Sequence, residues 1–129
     1  MESFWPSREE VLNPELNPIS ILEKQSWLLE QQSDNIEADL GTDETLKYNR
    51  ILYLRDRNSF FEVAIAQFSL SNGNCFPLTA YSLLQNGMKH TINSASEFIS
   101  YLKSTFHTEI CMHILRFLIK SNESYNISD

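Results

Sequence analysis

The stretch Phe60–Leu70, FFEVAIAQFSL, is apolar at both alternations of an extended chain, which limits what the rest of the sequence can build around it. Read with period two, Phe61, Val63 and Ile65 share one side, and Phe60, Ala64, Ala66, Phe68 and Leu70 share the other, interrupted by Glu62. Such a strand is expected at the centre of a sheet, covered on both faces. Ser71-Asn72-Gly73-Asn74 follows it. Asn and Gly reach the positive φ of a tight hairpin turn at low cost, so the next strand should return antiparallel beside it.

The flanking segments extend this hairpin into a meander. Upstream, Asn35–Leu40 alternates Ile36, Ala38 and Leu40 against Glu37 and Asp39, the pattern of an acidic edge strand, and Gly41-Thr42-Asp43-Glu44 makes a polar turn. Leu46–Leu54 supplies a second strand, joined to the central one through Arg55-Asp56-Arg57-Asn58-Ser59. Downstream, Phe76–Leu84 carries Pro77 near its start, Gln85-Asn86-Gly87 gives a second Asn-Gly turn, and Met88–Ile92 completes about five strands.

Helices bracket the strands. Asn17 as N-cap and Pro18 at the first helical position introduce Ile21, Leu22, Gln25, Leu28 and Leu29 at helical spacing, through about Gln32. Ser94-Ala95-Ser96-Glu97 is a capping box ahead of Phe98, Ile99, Tyr101, Leu102 and Phe106. Thr108 caps a last helix whose stripe is Ile110, Cys111, Ile114, Leu115 and Leu118, widened by Phe117. The expected fold is a single α+β domain over residues 1–129: an antiparallel meander, an N-terminal helix and two C-terminal helices. Residues 1–17 form a proline-containing arm with one short helical turn after Ser7, and residues 122–129 form a polar tail expected to fray. Phe4 and Trp5 in the arm suit either a docking peptide or an arm packed back on its own domain. The cost of wetting two large rings favours packing back.

Charge narrows the function. Ten Lys and Arg against 17 Asp and Glu leave a net charge of −7, so nucleic acid is repelled on average, whereas a basic protein partner is compatible. The two cysteines, Cys75 and Cys111, lie far apart and outside any CxxC pair, which argues against a disulfide scaffold or a four-thiolate zinc site and agrees with a reducing compartment. The first residues have acids and prolines where a signal peptide has a basic start and an apolar run, and no stretch approaches the ~20 apolar residues of a membrane span. A soluble, cytoplasmic protein is expected, with no membrane partner.

Few residues suggest chemistry. His107 and Cys111 are four apart and would share a helix face, as in a metal half-site or a thiol beside a base, while His113 points elsewhere. Cys111 also falls within the apolar stripe, so a small core residue is the simpler reading. His90 near a strand end is a candidate general base without a recognisable orienting partner. Arg55 and Arg57 suit a carboxylate or phosphate clamp, or a solvated hairpin. The acids Asp34, Glu37, Asp39, Asp43 and Glu44 lack the spaced oxygens and placed glycine of a calcium loop. No Walker loop, GxGxxG, HExxH or GxSxG occurs, and no catalytic, cofactor or metal residue is assigned.

Two functions follow as expectations. The first is a non-enzymatic protein-interaction module of inhibitor, immunity, chaperone or regulatory type. The second is a small enzyme or ligand-binding domain with a pocket between sheet and helices, holding His90, His107 or Cys111. A deep pocket holding at least two polar side chains with convergent geometry favours the second, and a filled core with a broad surface patch favours the first. If all long helices share one face of the sheet, Phe60, Ala64, Ala66 and Phe68 are candidates for a two-fold homodimer surface on the other.

Overall fold

The computed structural model describes residues 3–11, 17–42, 49–70 and 74–127, and in it the two-sided apolar stretch supplies the central strand of a five-stranded antiparallel sheet. The strands are β1 (Ile36–Thr42), β2 (Asn49–Asp56), β3 (Glu62–Ser69), β4 (Leu78–Ser82) and β5 (Met88–Ile92), each hydrogen-bonded to its neighbours in sequence. Helices α1 (Arg8–Val11) and α2 (Pro18–Glu30) precede the sheet, and α3 (Ala95–Phe106) and α4 (Glu109–Ile127) follow it. The expected α+β meander is the observed architecture.

The expected double coverage of β3 does not occur, because a β-bulge changes the phase of the strand. Leu52 pairs with Ala66 and Tyr53 with Ala64, leaving Ile65 as an extra residue. An extra residue shifts the alternation by one, so the side chains beyond it change face. Val63 and Ile65 before the shift, and Ala66, Phe68 and Leu70 after it, therefore all turn to one side. Ile65 and Ala66 are consecutive in sequence and both buried, at 1% and 0% exposure.

All three long helices pack on that side. Ile21 and Leu22 of α2, Phe98 and Leu102 of α3, and Cys111 and Leu118 of α4 join the buried strand residues in one core. Phe68 meets Phe98 edge to face at 5.4 Å, and Phe98 meets Phe76 at 5.8 Å. The opposite sheet face carries a charge network: Arg55 reaches Glu62 at 2.8 Å, Asp39 at 3.5 Å and Glu37 at 3.6 Å. Arg57, in the turn after β2, pairs with Glu37 and with Glu30 of α2. These two arginines clamp the protein's own carboxylates, in partly exposed pairs that contribute little to stability.

Local chemistry sets the element ends. Asn17 Oδ1 accepts from the Ser20 N–H, and Asn74 Oδ1 accepts from the Ile19 N–H, tying the start of α2 to the chain ahead of β4. Ser94 Oγ accepts from the Glu97 N–H, and Glu97 reaches back to the Asn93 N–H. Thr108 Oγ1 caps α4 by accepting from the Cys111 N–H. Gly41 lies within β1, paired with Ile51, rather than in a turn, and the Tyr53 ring crosses it: a Cβ there would meet Tyr53 Cε2 at 2.8 Å.

Other boundaries differ from the expectation. Strand β4 ends at Ser82, and a 3-10 turn, Leu83–Gln85, precedes Asn86 (φ 61°) and Gly87 (φ 71°), whose N–H closes on Ser82 O. The Asn-Gly pair takes the positive φ expected of it, within a longer hairpin connection. Helix α4 continues through Ile127, past Asn122 where fraying is expected. Phe4 and Trp5 are 97% and 87% exposed, so these two rings are not packed back on the domain. The turn residues 71–73 and 43–44, and the first residues of the second expected strand, lie outside the described residues.

Candidate functional site

A cavity of about 620 Å³ opens between α2 and α4, with the helix-covered face of the sheet as its floor. The floor is Ala38, Leu52, Leu54 and Ile65, so the bulge residue that turns the strand inward also paves the site. Leu22, Ser26 and Leu29 form the α2 wall, and Cys111, Leu115 and Ile119 form the α4 wall. The polar side chains Gln25, Gln32, His107, Arg116 and Lys120 are exposed and stand at the rim. Ser26 Oγ–H donates to the Leu22 carbonyl within its own helix (3.0 Å), which leaves the interior without a free hydroxyl donor.

Two of the three pocket candidates meet here. His107 belongs to the turn between α3 and α4, where its Nδ1–H donates to the Lys103 carbonyl (2.7 Å), and α4 begins only at Glu109. His107 and Cys111 therefore do not share a helix face as expected, although both line the cavity. Burial pushes the Cys111 thiol from its ordinary 9.0 up to about 11, leaving almost no thiolate near neutrality. His90 lies elsewhere: its ring packs on Tyr101 at 5.1 Å, and Tyr101 OH hydrogen-bonds Ser82 Oγ at 2.7 Å. Among the described residues, no group of three or more His, Cys, Asp or Glu is placed to hold a metal ion, and no helix is long and apolar enough to cross a membrane.

The interface candidates divide between the two sides of the sheet. Ala66 and Phe68 have no exposed surface and belong to the core, so neither can form a contact with another molecule. Ala64 points to the opposite face, paired with Tyr53, and Phe60 is fully exposed in the turn before β3.

Comparison with protein-family models, with curated proteins and with solved structures returns no match. The cavity is the feature of the fold best suited to hold a ligand.

Most of its lining was hidden from sequence reading, because each helix stripe taken alone reads as core. One trace is present. Met112, Leu115, Arg116, Ile119 and Lys120 recur at helical spacing along one flank of α4, beside the stripe that faces the sheet.

The raised thiol makes stability depend on alkaline pH. The folded chain favours the neutral thiol, so this contribution is complete below the ordinary value of 9.0 and is lost as pH rises toward about 11. The difference in urea midpoint between wild type and Cys111→Ala should narrow across that interval. A difference that holds constant would show that the thiol is not buried in the folded state.

Proposed function

We propose that this domain is a non-enzymatic binding module that takes an apolar small ligand in the cavity between α2, α4 and the sheet. One observation carries the reading: a cavity of about 620 Å³ has an apolar floor and walls, with its charged groups confined to the rim. Ligand sites are commonly about 300–1,000 Å³, mostly apolar, with a few polar groups that set orientation. The non-enzymatic part is supported by the interior's polar groups: the Ser26 hydroxyl donates to the Leu22 carbonyl at 3.0 Å, and Cys111 is buried, with its thiol pushed up to about 11.

A protein partner is the second reading, and it has its own support. Leu28, Met112 and Ile119 line the mouth and are 39%, 43% and 44% exposed, an apolar edge suited to a helix laid across the opening. Nile red, a neutral apolar dye, separates the two. We expect it to bind wild type, and Ser26→Phe, which fills the cavity from the α2 wall, to weaken that binding at least about tenfold, or about 1.4 kcal/mol. The thermal midpoint should stay level or rise, because the new ring occupies empty space. A folded Ser26→Phe protein that keeps its dye affinity would remove the cavity as the binding site and leave the mouth edge as the candidate surface.

A further inference from the structure

We propose that the ligand is an amphiphile with an anionic head, of the fatty-acid carboxylate class, whose tail lies on the sheet floor and whose head sits at Arg116 and Lys120; this rests on the reading of the cavity as a ligand site. The charge distribution carries the argument. The chain has 17 acids and 10 Lys and Arg, yet among the described residues no Asp or Glu lines the cavity, and Arg116 and Lys120 do. They are four residues apart on α4, so they stand one turn from each other along the same edge of the mouth. Arg55 and Arg57 are each engaged by two or more carboxylates, whereas neither Arg116 nor Lys120 forms an ion pair or side-chain hydrogen bond among the described residues. Their donors are open to a ligand, and a guanidinium fork matches a carboxylate in shape.

The interior specifies the other end of the molecule. Its hydroxyl is committed to the Leu22 carbonyl and its thiol is neutral, so a polar tail would lose water and gain no partner there. A hydrocarbon tail gains from the same surroundings. Exposed rim cations do little by themselves, so the tail supplies affinity and the head supplies orientation and choice.

The test displaces Nile red from the full chain with three probes that share a ten-carbon tail, each kept below its micelle concentration: decanoate, decanol and decyltrimethylammonium. We expect decanoate to bind about tenfold more tightly than decanol, with the cation weakest, and the decanoate advantage to shrink with added salt. The double variant Arg116→Gln, Lys120→Gln changes two exposed side chains and should fold. It should bring decanoate to within about twofold of decanol and leave decanol unchanged. Equal binding of decanoate and decanol by wild type, or strongest binding of the cation, overturns the head-group assignment while the cavity stands. No binding of the dye or of any probe overturns both.

Discussion

Replacing Ala66 by Glu will leave the chain unfolded. Ala66 has no exposed surface and sits beside the bulge in the central strand, flanked by Leu52 and Ser82 on the adjacent strands. A carboxylate placed there is desolvated on the helix-covered side of the sheet, and the penalty for an unpaired buried charge is several kcal/mol, against a total stability of about 5–15 kcal/mol for a domain of this kind. Ala64→Lys is the matched control, two residues away but on the opposite face, beside Tyr53 and on the same side as Glu62. It should fold and unfold cooperatively with a midpoint close to wild type. Circular dichroism and urea melts of the two variants thus report the phase change at Ile65 directly. A folded Ala66→Glu protein with an unfolded Ala64→Lys protein would invert the assignment of faces.

Phe68→Ala should be among the most costly truncations in the core, lowering stability by about 3–5 kcal/mol, the range for large aromatic deletions. Phe68 is fully buried and contacts the Phe98 ring at 5.4 Å and the Tyr101 ring at 6.4 Å, so its loss opens a void between β3 and α3. The fully exposed Phe60, eight positions earlier in the same apolar stretch, should tolerate Ala within about 0.5 kcal/mol. Urea midpoints measure both, and comparable losses at the two positions would contradict this separation of core from surface.

These two residues show how far the stretch was legible. The existence of the central strand, its antiparallel neighbours and the caps at Asn17, Ser94 and Thr108 follow from local chemistry, and each is realised. Residues of both alternations are buried only from Ile65 onward, where Ile65 joins Ala66, Phe68 and Leu70 through a bulge in place of a second covering layer, while Phe60 and Ala64 lie away from the core. Polar residues carried a trace of the bulge: Glu62 faces outward at an even position, and Gln67 and Ser69 face outward at odd ones, which requires a phase change between them. A strict period-two reading has no place for an added residue.

The cavity was less legible because it depends on the distance between α2 and α4, and neither stripe encodes that distance. Leu22 and Leu29 on one side, with Leu115 and Ile119 on the other, are ordinary amphipathic residues until the sheet holds the two helices apart. Asn35 helps to hold them. It sits at the start of β1, fully buried, and its Nδ2–H₂ donates to the Leu118 carbonyl of α4 at 2.9 Å and to Asp56 at 3.4 Å. One asparagine thereby anchors the middle of α4 to the strand end next to α2, which fixes the far wall of the site.

The most direct test of the cavity as the ligand site is methyl-resolved NMR of the intact protein during titration with decanol, the uncharged probe. The expected result is a saturable shift of the Leu22, Leu52, Leu54, Ile65, Leu115 and Ile119 methyls, which line the cavity, while Leu78 and Ile92 on β4 and β5 stay in place. No saturable shift at the lining methyls, or shifts confined to Leu78 and Ile92, would contradict it.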